Sequence, residues 1–264
     1  MMRHFRIFLL CFQYVFERRG VSIVWLLVML INPLILLVYW RSALENNSIV
    51  GWSLSSISSY YFLLFTVSAF LMSHIEENVS EDDIANGQLV KYLVKPYSYF
   101  LFNIIRELPY RLLQGFFAII ISFLFILIFG RFFQITSDLS ILFLTVLVFI
   151  LAYILSYSYK IAIGLLAFWL TDANGLFQFL EIITLIFAGY VIPISLMPEL
   201  LLKIVKASPF PYIIYYPVII LQGNMSIVDI IFVICKQITW IIIMVLLYKF
   251  LWRKGIKVFT GMGQ

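Results

Sequence analysis

Ser140–Leu170 reads SILFLTVLVFILAYILSYSYKIAIGLLAFWL, and its one charged side chain is Lys160. A helix crosses a bilayer core with about 20 consecutive apolar residues, so this stretch is more than long enough. It is too long for one perpendicular span, and it has to tilt, kink near Gly164 or project past the membrane. Lys160 is expected to snorkel towards the headgroups, its stem in hydrocarbon and its ammonium in water.

Five further runs share that character: Val21–Trp40, Ile57–Ser73, Leu108–Phe129, Leu176–Ile192 and Asp229–Lys249. Hydrophobic residues make up 64% of the chain and charged ones 12%, where a soluble domain carries roughly 25% charge. Six spans with their loops consume nearly all of the 264 residues. No room is left for a soluble domain of about 100 residues. The expected fold class is all-α integral membrane, one domain over 1–264. It comprises six transmembrane helices, an N-terminal amphipathic interfacial helix, and external re-entrant or interfacial helices between the fifth and sixth spans.

The net charge of +5 is informative through its placement. With the N-terminus inside, Arg3, Arg6, Arg18, Arg19, Lys91, Lys95, Arg106, Arg111, Lys160, Lys249, Arg253, Lys254 and Lys257 fall on the cytoplasmic side. Arg41, Arg131, Lys203, Lys206 and Lys236 fall outside. That asymmetry is the positive-inside bias. It predicts a multi-pass plasma-membrane protein with both termini cytoplasmic, which requires an even number of spans. The first run is longer than a signal-peptide core and ends at Trp40-Arg41 without a small-residue cleavage site, so it is expected to remain as an anchor.

Residues 2–19 carry Phe5, Phe8, Leu9, Phe12, Val15 and Phe16 at helical spacing, with Arg6, Gln13 and Glu17 opposite. This predicts a helix lying in the membrane interface. After the second run, residues 80–95 have the grammar of a short cytoplasmic helix. Ser80 and Asp83 are spaced as a capping box, Glu81–Asp83 and Lys91 with Lys95 match the helix dipole, and Pro96 stops the helix. Such a helix can rest on the membrane or dock into a partner. Between the fifth and sixth runs, Pro193, Pro198, Pro209, Pro211 and Pro217 punctuate apolar segments too short to cross, which suits re-entrant or interfacial helices.

Chemistry is sparse. Two histidines, His4 and His74, cannot build a multi-histidine metal site, and Cys11 and Cys235 form no spacing motif. No G-x-x-x-x-G-K-[ST] phosphate cradle occurs. No catalytic residue, metal site, directly bound cofactor or nucleic-acid surface is expected. One intramembrane row is conspicuous: Thr171, Asn174, Gln178, Glu181 and Thr184 recur every three or four residues along the fifth run. An acid at that depth is either functional or paired. The row is the polar wall of a conduit or a packing seam between helices, and both readings stand.

At Gly87-Gln88-Leu89-Val90-Lys91-Tyr92-Leu93-Val94-Lys95-Pro96 the chain resembles the permease subunits of ABC-2 type exporters. The likeness returns at Ala167-Phe168-Trp169, Gly189, Pro193, Pro198, Pro209-Phe210, Tyr215-Tyr216-Pro217 and Gly223. It is strongest to a bacterial branch described as drug- or daunorubicin-resistance-like. The order of these features carries the resemblance, since such permeases have no catalytic signature. It implies six spans per subunit, a second permease subunit (self or sibling) and separate cytoplasmic ABC ATPase subunits, through which ATP and Mg act. It also implies that the segment after the second span couples the ATPase to the membrane half, here through Ile84, Ala85, Asn86, Gly87, Gln88, Leu89 and Tyr92. The expected function is export of an amphipathic or lipid-like substrate by alternating access, with Thr171–Thr184 along the pathway and Pro193 and Pro198 at an external gate. The other class is a membrane scaffold that moves nothing.

Overall fold

The computed structural model describes residues 2–17, 19–46, 51–96, 98–129, 134–170 and 172–261, and among them the chain forms helices and turns but no strand. Helix α1 (Met2–Glu17) packs along α6 (Tyr99–Phe129). Phe8, Phe12 and Phe16 stack with centroids 6.2 Å apart at each step, as neighbours four residues apart on a helix can. Helix α2 (Arg19–Asn46) lies against α3 (Leu54–Leu71) and α6. A reciprocal cap starts α3: the Ser53 hydroxyl accepts the Ser56 N–H at 3.1 Å, and the Ser56 hydroxyl accepts the Ser53 N–H at 2.8 Å.

Four stretches among the described residues are long and apolar enough to cross a membrane: Leu54–Ala85, Tyr99–Leu127, Leu139–Phe168 and Ile227–Gly255. The third expected span, 108–129, already begins as helix at Tyr99 and carries Pro109 inside it. Helix α7 (Leu139–Gly164) is capped by the Asp138 carboxylate, which accepts the Ser140 N–H at 2.8 Å, and tightens into a 3-10 turn over Leu165–Phe168. The change falls at Gly164, where a Cβ would lie 2.9 Å from Val79 and 3.0 Å from the Glu76 backbone. Only hydrogen lets α7 come this close. Helix α8 (Asn174–Phe187) is 14 residues long, about 21 Å at 1.5 Å per residue, and stops short of the expected Ile192. Gly189, at φ +80°, reverses the chain there, and the Tyr190 N–H returns to the Leu185 carbonyl at 2.9 Å.

The segment expected as one helix over 80–95 is built differently. A helical turn, α4 (Ile75–Glu77), runs straight into a π-helix over Asn78–Ala85, and the chain is helical again only over α5 (Val90–Leu93). Because the helix starts at Ile75, Ser80 is a buried mid-helix residue rather than a cap. Asp83 accepts the Tyr99 hydroxyl at 2.5 Å instead of serving a capping box. Gly87, at φ +68°, terminates the π-helix.

Short helices α9 (Glu199–Ala207) and α10 (Tyr215–Leu221) precede α11 (Ile227–Gly255), which forms its largest helix interface with α7. The main apolar core joins α3, α7, α10 and α11 around Tyr60, Leu64, Leu155, Val218 and Val233. A second core gathers Ile75, Val79, Ile84, Leu89, Tyr99, Tyr157, Phe168 and Tyr248. The molecule thus has two ends. The near end holds residues 75–96, 98–99, 165–168 and 248–259; the far end holds 52–61, 134–138 and 189–225.

Candidate coupling segment and buried ion network

Ile84 and Leu89 belong to the near-end core, with 3% and 0% of their surface exposed. They anchor the 78–96 segment to α7 and α11, so these two of the expected coupling residues face inward. Tyr92 is half-buried: its hydroxyl accepts an Arg106 N–H at 3.1 Å, and its ring meets Tyr99 edge-on at 5.4 Å. Burial pushes its phenol up from the ordinary range. Asn86 and Gln88 are exposed, and Ala85 and Gly87 are partly covered. The outward surface also includes Val90, Leu93 and Val94, which the expected set omitted and of which Val94 is 77% exposed. Which face of so short a segment points outward depends on how it is anchored, and periodicity carries no signal for that.

Lys160 does not snorkel. It is 4% exposed, and its Nζ lies 2.5 Å from Glu76 Oε1 and 2.5 Å from Glu181 Oε2. Three elements meet at this ammonium: α4 at the root of the 78–96 segment, α7, and α8. The close approach at Gly164, one turn along α7, brings Glu76 within reach. His74 lies in the electrostatic neighbourhood of Lys160 and Glu181. Two carboxylates share one cation, and among the described residues the second Glu76 oxygen, Oε2, is buried without a hydrogen-bond partner. Burying such groups is costly unless they are paired, so the network holds only while all three elements stay in register.

The rest of the polar row does not gather at one place. Thr184 is buried, donating to the Leu180 carbonyl at 2.7 Å and lying 3.3 Å from the Tyr159 hydroxyl. Asn174 and Gln178 are exposed, and Thr171 lies outside the described residues. Glu76 and Lys160 are the members of this site that reasoning from the row alone misses. The one linear clue was a lysine inside an apolar run facing an acid in the next.

A family model described as ABC-2 family transporter protein matches residues 23–263. The chain belongs to the ABC-2 transporter family. No curated protein and no solved structure matches it. An ABC-2 protein is the membrane component of its transporter rather than the ATPase. The match runs from α2 to the chain's last residues and leaves out α1.

A second ionic network in this ABC-2 chain lies on α6. Arg111 Nε donates to Glu107 Oε1 at 2.7 Å; that oxygen also accepts the Ser73 hydroxyl, and Arg111 Nη1 donates to the Gln114 side-chain Oε1 at 2.8 Å. The far end is bonded otherwise. Tyr60 and Tyr61 donate to the carbonyls of Gly189 and Val191 at 2.5 and 3.0 Å, Trp52 donates to the Ser195 hydroxyl at 3.1 Å, and Gln222 donates to the Ser56 carbonyl at 2.9 Å. Pro193 is buried and leads into the 3-10 turn Ile194–Leu196; Pro198 is exposed and caps α9.

Proposed function

We propose that this ABC-2 chain is the permease subunit of an ATP-driven exporter of the drug-resistance-like branch, moving an amphipathic or lipid-like substrate out of the cytoplasm or inner leaflet. It sits in the plasma membrane with six crossings: α2, α3, α6, α7, α8 and α11. Both termini and the near end are cytoplasmic. Cytoplasmic ABC ATPase subunits, which carry ATP and Mg, dock on the exposed surface of Asn86, Gln88, Val90, Leu93 and Val94. A second permease, self or sibling, completes the pathway. The short helices after Pro193 and Pro198 form its external gate.

The observation that carries this reading is Lys160 bridging Glu76 to Glu181. A push on the 78–96 segment cannot be absorbed locally, because Ile84 and Leu89 seat it in the near-end core. It reaches Glu76, then α7 and α8 through the shared ammonium. Glu181 stands where α8 meets the pathway, so ATPase closure changes the accessible side. Apolar walls with few fixed charges suit a substrate with a large apolar body.

The test is co-purification with the cognate ATPase, followed by substrate-dependent ATP hydrolysis in proteoliposomes. Leu93→Asp and Val94→Asp alter exposed positions, so insertion survives while ATPase capture and stimulated turnover fall at least tenfold. Normal capture and transport in both variants would refute this docking surface. A wild-type complex that retains the ATPase but never responds to a substrate would be a scaffold. Orientation is checked with single cysteines at Asn86 and Asn224 in a Cys11→Ser, Cys235→Ser background. An impermeant external thiol reagent labels position 224 and spares position 86, and the reverse pattern overturns the topology.

A further inference from the structure

The last three turns of α11 carry a feature that coupling does not use. Ile242, Leu246 and Phe250 are more than half exposed and continue one apolar stripe along the helix. At Lys249 the stripe turns cationic, and Lys249, Arg253, Lys254 and Lys257 line an open groove together with Leu246 and Phe250. Spacings of three and four residues place these side chains on one helical face. Lys249 to Lys254 covers about 7.5 Å at 1.5 Å per residue, and Lys257 follows in the turn just past the helix end. Among the described residues none of the four cations is in an ion pair, and the single acid of α11, Asp229, stands at the opposite end of the helix.

We propose that this groove is a binding site for an anionic phospholipid, its acyl chains along Ile242, Leu246 and Phe250 and its phosphate among Lys249, Arg253, Lys254 and Lys257. Charge complementarity selects the headgroup, since four unneutralised cations beside hydrocarbon attract phosphate more strongly than a zwitterion. Continuity with the apolar stripe selects a lipid over a free anion, because Leu246 and Phe250 are walls of the same groove. Four cations spread over this length favour headgroups with two negative charges over those with one. The helix C-terminus adds to the arrangement: with cations at its last carbonyls the macrodipole is already satisfied, and an anion closes the charge balance at the membrane face.

The experiment is native mass spectrometry of the full-length protein in neutral detergent, titrated separately with phosphatidylglycerol, a two-phosphate lipid and phosphatidylcholine. Wild type retains the two-phosphate lipid most strongly, phosphatidylglycerol next and phosphatidylcholine least. The variant K249Q/R253Q/K254Q weakens anionic-lipid binding about 100-fold, at roughly fivefold per cation. K203Q/K206Q, which removes far-end cations, leaves binding unchanged. Millimolar inorganic phosphate fails to displace the lipid; displacement would reassign the groove to a free anion. Should the triple variant not fold, K254Q/K257Q lies beyond the apolar stripe and is expected to weaken binding about 25-fold. Undiminished anionic-lipid binding in a folded variant, or loss of ATPase capture in its place, would overturn the proposal.

Discussion

The two ends of this molecule solve the same problem with different chemistry. Both bury polar groups between apolar helices. The far end uses neutral donors on backbone carbonyls: Tyr60 on Gly189, Tyr61 on Val191 and Gln222 on Ser56, with Gln237 of α11 reaching the Tyr212 carbonyl from below. The near half has such bonds too, Tyr157 on Phe100 and Ser156 on Leu71, and adds buried ions, Glu76–Lys160–Glu181 and Glu107–Arg111. A neutral bond to a carbonyl contributes about 0.5–1.5 kcal/mol net and fixes shape. A buried ion pair gains little over an apolar replacement, yet losing one partner costs about 3–5 kcal/mol. The far end is therefore held in one arrangement, whereas the near half is sensitive to any displacement that parts its charges. That sensitivity suits the half that, in the proposed function, receives the ATPase stroke.

The strongest way to break this contrast is Lys160→Met. It leaves Glu76 and Glu181 facing each other without a cation, and the expected loss is about 3–5 kcal/mol, read as a lowered unfolding midpoint in detergent. Adding Glu76→Gln and Glu181→Gln to that variant restores most of the loss, because no buried charge is then unpaired. A Lys160→Met protein as stable as wild type would show that the network is not a structural link.

Gly189→Ala probes the far end. Its φ of +80° and the Tyr60 hydroxyl 2.8 Å from the added Cβ both oppose a side chain, at an expected cost of about 1–3 kcal/mol. The charged network should be untouched, so substrate response per folded molecule is retained. A smaller shift follows Tyr60→Phe, about 1 kcal/mol from the lost bond to the Gly189 carbonyl. If Tyr60→Phe destabilises more than Lys160→Met, the contrast between the ends is inverted.

Glu181→Gln sharpens the comparison instead. It leaves Lys160 paired one-to-one with Glu76, so stability moves by no more than about 1 kcal/mol in either direction. Transport separates the two readings of the row: along a pathway, the preference for cationic over neutral substrates falls. In a packing seam it does not change. Smallest of all is Lys203→Ala, which breaks an exposed pair with Glu199 and is expected to shift stability by less than about 0.5 kcal/mol.

Much of the fold is legible in one dimension. Apolar runs identify the four long helices because hydrocarbon tolerates little else along about 20 residues, and the proline-punctuated stretch announces the short helices near α9 and α10. Local patterns mislead where a neighbour overrides them. Ser80 and Asp83 have capping-box spacing, but the helix is already under way from Ile75. The run ending at Ile192 is apolar to its last residue, but Gly189 turns the chain first.

Composition and period alone made a helical, membrane-embedded chain legible, and the order of loop and proline signals was enough to point to the ABC-2 family. Helicity and membrane character follow from what each segment carries alone, whereas the resemblance rests on the order of segments. Packing in three dimensions set what Lys160 does, which residues of the 78–96 segment face outward, and that Glu76 shares a cation with Glu181. Glu76 and Glu181 stand 84 and 21 positions from Lys160, and no local propensity specifies pairing at such separations. The close packing of α7 on the π-helix at Gly164 does, because it brings charges together that hydrocarbon will not leave unpaired.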